Sequence, residues 1–349
     1  MSGQRGVSRR SLLAGAGAVA AASTVAVGVG SAASASSWWG YSSVVPVVTD
    51  ESWLYELACL PNLRRVYAAN PWTNTSTREP RHTIRVVNAG ASRLVGEVNL
   101  GAGSAFGLTA NQETDMVYAG DQIFTELVYA IDGRTNQVVR TAEVAGQPRG
   151  LAVNPVTNKL YVTLTNQGRL AVLDGATLAV EASIEIGLIE PAKVAVNPVT
   201  NMVYVSNANR RGSGSSVTVI DGATNTITAN VPVDMYALGI SVNAADNKIY
   251  VSNYTSETLS VIDGRTLNIV GKAYVGGSPT AVEYNAVTKK VYVTNFEQKG
   301  AVTVIDDIAH TVTRLRVRPA ALGLAVNQKT GAVYSSSQTE GSVFLMNPL

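Results

Sequence analysis

Seven tyrosines hold one register along the chain: Tyr67, Tyr118, Tyr161, Tyr204, Tyr250, Tyr292 and Tyr334. Each sits in a short β-type phrase, VYAAN, VYAGD, LYVTL, VYVSN, IYVSN, VYVTN and VYSSS, and the intervals are 51, 43, 43, 46, 42 and 42 residues. A period of about 40–45 residues with strand-like content specifies one four-stranded blade per repeat. The expected fold is therefore all-β, a seven-bladed β-propeller. A length of 349 residues would otherwise allow two domains.

The clearest copy begins at Gly150. Strand A is Leu151-Ala152-Val153, and Asn154-Pro155-Val156-Thr157-Asn158 forms the turn. Strand B runs from Lys159 to Thr163, strand C from Leu170 to Leu173, and strand D from about Ala179 to Ile186. Asp174-Gly175 ends strand C and recurs as Asp132-Gly133, Asp221-Gly222 and Asp263-Gly264. Asp-Gly after a β-run reads as a type I′ hairpin turn, in which glycine supplies positive φ. Asp306-Asp307, Asn88-Ala89 and Asn347-Pro348 are the degenerate copies. These carboxylates belong to different blades, so they read as turn residues and not as a metal site.

The last blade reaches strand C at Ser342–Met346 and then the chain ends. Its missing strand D is expected from the N-terminus, at Ser43-Val44-Val45-Pro46-Val47-Val48. Pairing the two ends removes open sheet edges, and Pro46 suits an outer strand where a lost N–H is tolerated. The propeller is thus expected over 43–349, after a linker at 36–42.

Residues 1–35 read as an export signal. Ser8-Arg9-Arg10-Ser11-Leu12-Leu13 is a twin-arginine pattern, an Ala/Gly/Val stretch follows to Val29, and Ala33-Ser34-Ala35 is a small-residue cleavage site. Cleavage is expected after Ala35 or Ala32. A weakly hydrophobic stretch before a cleavage site is a poor membrane anchor, so the product is expected in the periplasm or outside the cell. Removing Arg5, Arg9 and Arg10 from 27 basic residues leaves 24 against 25 acidic ones. That balance argues against nucleic-acid binding. The single cysteine, Cys59, allows no internal disulfide and lies in an apolar stretch.

Val291-Tyr292-Val293-Thr294-Asn295, Asn197-Pro198-Val199-Thr200-Asn201 and Val219-Ile220-Asp221-Gly222 resemble the YVTN β-propeller repeat family, a group with YncE-like and surface-layer-associated secreted members. The resemblance covers the chain from about residue 44 onward. It implies an exported seven-bladed propeller and is nearly silent on chemistry.

The repeat is uneven in one place. From each Tyr to its own strand-C turn the counts are 21, 14, 13, 17, 13, 14 and 13, whereas the rest of the repeat is almost constant. The excess lies between strands B and C of blades 1 and 4. The first insertion carries Trp72, Arg78, Arg81 and His82, and the second carries Arg210 and Arg211. Insertions collected on one face of a repeat ring mark a binding face, and arginine forks suit carboxylates and phosphates. The D–A loops share that face. Glu56, Arg149 and Lys193 are their charged members nearest the axis, and Tyr236 and Arg318 lie further out. Asp121, Asn166, Tyr254, Phe296 and Glu297 join them from the B–C loops. The expected ligand-binding set is Trp72, Arg78, Arg81, His82, Arg149, Lys193, Arg210, Arg211 and Tyr254.

The chemistry tests exclude much. His82 and His310 are the only histidines, no His/Cys/Asp group has metal-ligand spacing, and no nucleophile elbow or phosphate loop is present. No metal or cofactor is therefore expected. Catalysis by Glu56, Lys193 or His82, with Glu190 as a further candidate acid, remains open. The leading expectation is a non-catalytic, monomeric binding scaffold, with a small anionic molecule or an envelope protein or glycan as partner. The alternative is a metal-independent lyase, isomerase, cyclase or lactone-type hydrolase with its site at the mouth of the central channel.

Overall fold

The computed structural model describes residues 41–47, 54–71, 82–187, 190–209, 215–296, 300–317 and 320–346. The expected export signal at 1–35, most of the expected linker, and the insertion residues Trp72, Arg78, Arg81, Arg210 and Arg211 lie outside them, as do Glu297, Arg318 and Asn347-Pro348.

Among the described residues, twenty-eight strands form seven four-stranded antiparallel sheets. The innermost strands, A, are Leu57–Leu60, Gly107–Asn111, Pro148–Asn154, Pro191–Asn197, Ala237–Asn243, Pro279–Asn285 and Ala321–Val326. Each contacts the next, and the last contacts the first, so the blades form a closed ring. In blade 3, strands B, C and D are Lys159–Leu164, Arg169–Asp174 and Val180–Glu185, within a residue or two of the expected limits.

The ring closes as the missing strand requires. Tyr41–Pro46 pairs antiparallel with Ser342–Met346, with Val45 opposite Val343. The strand starts two residues earlier than expected, with a bulge between Tyr41 and Ser43. Pro46 lies on the outer strand and is exposed, while Val45 and Val47 are buried with Leu54, Val66 and Tyr334.

All seven repeat tyrosines are buried, at 0–4% exposure. At Gly175 and Gly222 a tyrosine hydroxyl of the preceding blade helps explain why the strand-C turn carries glycine. Tyr118 Oη donates to the Gly175 carbonyl of the next blade at 2.8 Å, and Tyr67 Oη donates to the Gly133 carbonyl at 3.1 Å. A Cβ on Gly175 would stand 2.5 Å from the Asn158 carbonyl oxygen and 2.9 Å from Tyr118 Oη. Gly222 repeats this, with Asn201 and Tyr161 as the neighbours. The type I′ reading is corrected here. These glycines do not have positive φ. It falls three residues further on, at Asn136, Leu178 and Asn225. The aspartate accepts the N–H groups of the next residues but one and two, as Asp174 Oδ1 does from Ala176 (3.0 Å) and Thr177 (2.7 Å). The turn is thus an aspartate-braced loop, and the glycine answers a close approach. Gly175→Ala is expected to destabilise the protein by about 1–3 kcal/mol, the usual cost of overpacking, as read by urea denaturation.

A second ring of bonds sits two residues after the tyrosine. In blades 3–7 that residue is Thr163, Ser206, Ser252, Thr294 or Ser336. Gly150 N–H donates to Thr163 Oγ1 at 2.8 Å, and that hydroxyl donates to the Ala192 carbonyl of blade 4 at 3.1 Å. The pattern recurs, ending with Ser336 Oγ donating to the Tyr55 carbonyl of blade 1 at 2.9 Å. Each hydroxyl satisfies a strand-A N–H freed by a register shift and ties two blades together. Blades 1 and 2 carry Ala69 and Gly120 at this position, and their A–B pairings have no shift.

Candidate functional site

The seven A strands enclose a lumen, and its lining residues define a cavity of about 700 Å³. The size is that of a small-molecule site. The walls are mostly aliphatic, with Leu57, Leu108, Leu151, Val194, Ile240, Val282 and Leu324 contributing one residue per blade. The lining continues along the A–B turns through Gln112, Pro155, Pro198, Ala244 and Gln328. The cavity therefore reaches the face opposite the B–C insertions.

Aligning strand A by its partner tyrosine separates the lumen into levels. The residues opposite the tyrosines are Ala58, Thr109, Ala152, Ala195, Ser241, Glu283 and Ala325. Two residues earlier stand Glu56, Gly107, Gly150, Lys193, Gly239, Ala281 and Gly323. Glycine is required at four of these seven places, because a Cβ on Gly107, Gly150, Gly239 or Gly323 would come within 2.6 Å of the next blade's carbonyl oxygen. Glu56 and Lys193 are the charged exceptions.

Those two meet across the lumen. Lys193 Nζ donates to Glu56 Oε1, and the side chains keep only 21% and 23% of their exposure. Their backbones are fixed by the hydroxyl ring: Lys193 N–H donates to Ser206 Oγ (3.2 Å), and the carbonyl before Glu56 accepts from Ser336.

The third member, Glu283, was not anticipated. Burial pushes its carboxyl up to about 8, the neighbouring Glu56 charge adds to the rise, and Lys193 and a hydrogen bond from Ser241 oppose it. At neutral pH Glu283 is therefore mostly a neutral acid, able to donate a hydrogen bond. Its signal in the sequence is being the one charged residue at a position that elsewhere holds Ala, Ser or Thr.

The remaining described candidates do not line this cavity. His82 Nδ1 bonds the Gly103 carbonyl at 2.9 Å and braces the D–A loop of blade 1. Tyr254 packs on Tyr236, with ring centroids 5.1 Å apart. Arg149 sits at the start of its strand A, half-buried and outside the lumen wall. Asp121 is a buried loop brace, accepting from Ser104, Ile123, Phe124 and Thr125. The Cys59 thiol is pushed up to about 12 by burial and stays neutral. His310 is exposed on a C–D turn. Among the described residues no group of three His, Cys, Asp or Glu side chains could hold a metal ion, and no helix is long and apolar enough to cross a membrane.

Seven four-stranded blades around a lined lumen define a seven-bladed β-propeller. Among solved structures the chain is similar to Kuenenia stuttgartiensis hydrazine synthase, with a TM-score of 0.74 at 14% identity over 86% of this chain and 97% of that one. At that identity the likeness shows the fold alone. No family model and no curated protein sequence matches the chain.

Proposed function

We propose that this protein is an exported binding scaffold of the YVTN-repeat type, with its ligand site in the lumen of the propeller. The observation that carries the reading is the cavity of about 700 Å³, aliphatic along its walls and crossed by one belt of charge at Glu56, Lys193 and Glu283. Apolar walls supply affinity and a few convergent polar groups supply orientation. Glu56 and Lys193 stand at the D–A end of the lumen, toward the face expected from the loop insertions. An anionic ligand on that face would depend on Arg78, Arg81, Arg210 and Arg211.

Thermal-shift screening against small metabolites and amphiphiles tests the reading. The expected result is a ligand whose stabilisation disappears in Lys193→Met/Glu283→Gln and persists when the four loop arginines are changed to alanine. Stabilisation lost only in the arginine variant moves the site to the loops.

A second reading is the small-molecule enzyme. Glu283 favours it, because a neutral acid that ionises near 8 beside a fixed ion pair suits general acid–base work. It requires turnover that falls in Glu283→Gln while ligand binding persists.

A further inference from the structure

The charge belt of the lumen does not balance. It brings two carboxyl groups, Glu56 and Glu283, to one ammonium, Lys193, and that ammonium is already bonded to Glu56. Glu283 has Ser241 as its hydrogen-bond partner, and the Ser241 oxygen is itself engaged by the Tyr284 N–H at 3.1 Å. The other titratable groups on the lining are Cys59 and Tyr284, both kept neutral by burial, and Glu113 and Lys289, which are exposed on the A–B turns. No second cation stands beside Glu283 among the described lining residues. Glu283 is half-buried, and the cation near it, Lys193, is already bonded to Glu56, so ionising Glu283 is costly. A ligand carrying a second positive charge would offset that cost.

The walls say what the rest of such a ligand looks like. From the belt toward the A–B rim the walls are mainly aliphatic, with Gln112, Glu113, Asn243, Lys289 and Gln328 among them, and apolar side chains continue onto the rim. There Val156 and Val199 are 75% and 76% exposed, Val287 is 50% exposed, and Ala244 lies between them. These residues occupy blades 3 to 6, which are consecutive.

Resting on the lumen reading above, we propose that the ligand is a cationic amphiphile. Its protonated amine or quaternary ammonium head sits between Glu283 and Glu56, and its apolar body lies along the aliphatic walls toward the A–B rim. A carboxylate head would have to displace Glu56 from Lys193 and would still face Glu283. A neutral head would make no charge-assisted bond with either carboxyl group.

Binding is then linked to a proton. Free Glu283 holds its proton up to about 8. The arriving ammonium favours the ionised form, so the proton leaves to solvent. Affinity rises from pH 6 toward pH 8 and levels off above it.

The test is calorimetric titration of the purified protein with octylammonium, octanoate and octanol, at pH 7 in two buffers of different ionisation enthalpy. Octylammonium is expected to bind about 10- to 100-fold more tightly than the other two, the usual worth of a charge-assisted bond. Its binding should release about one proton, as expected for a group ionising near 8. Glu283→Gln should lose that preference and the proton release. Lys193→Met should gain affinity for octylammonium, because it removes a competing cation. Octanoate or octanol binding as tightly as octylammonium overturns the cation proposal and leaves the lumen as a site. Unchanged affinity in Glu283→Gln overturns it too. Failure of all three probes to bind overturns both readings.

Discussion

Deleting residues 41–47 is expected to leave no soluble, folded monomer. The strand Tyr41–Pro46 pairs along Ser342–Met346, and Val47 N–H adds a bond to the Gly341 carbonyl at 2.9 Å. Burying Val45 and Val47 contributes about 1.5–3 kcal/mol each. The ladder bonds add about 1 kcal/mol apiece. The sum is on the order of the whole stability of a typical domain, about 5–15 kcal/mol. Deletion would also bare the edge that carries the buried Phe344, inviting edge-to-edge association. A truncated protein that stays monomeric by size-exclusion chromatography and melts with the full chain would refute the closure argument.

Glu283→Gln is expected to stabilise the protein at alkaline pH and to change little near pH 4.5. The ordinary glutamate value is 4.5 and the folded value is about 8. Below 4.5 both the folded and the unfolded chain hold the proton. Between 4.5 and 8 the unfolded chain releases it while the folded one keeps it, so wild-type stability falls by about 1.4 kcal/mol per pH unit. Above 8 both are ionised and the loss stops growing. The upper figure is about 5 kcal/mol, reduced where water in the lumen solvates the charge. Glutamine cannot titrate, so the difference between variant and wild type isolates this one group from every other that titrates. Guanidinium denaturation at pH 5, 7 and 8.5 reads it. Parallel stability curves for the two proteins would show that Glu283 does not hold its proton.

The two effects differ in how far they were legible. The closing strand could be read because a blade with three strands needs a fourth to cover its edge, and Ser43–Val48 was the apolar segment free to supply it. The tyrosine register and its hydroxyl two residues on are local patterns. A strand alternates its faces whatever surrounds it, so those patterns survive in one dimension. Glu56 and Lys193 were recognisable as near-axis charges for the same reason.

Glu283 was not, because charge on a strand-A residue says nothing until seven strands place their levels side by side. The glycine of the Asp-Gly turn was misread for a related reason. Its local chemistry resembles a hairpin demanding positive φ, whereas the actual constraint is a carbonyl of its own blade and a tyrosine hydroxyl from the preceding one.

The sequence by itself determined the number of blades, the strand phrases and the closing strand, because those rest on period and alternation within the chain. Only the tertiary structure decided that Glu56 bonds Lys193 from 137 residues away. It alone decided that Glu283 shares their lumen and that the cavity extends to the A–B rim. Ionisation and cavity shape depend on what stands across a gap, and ring closure sets those neighbours.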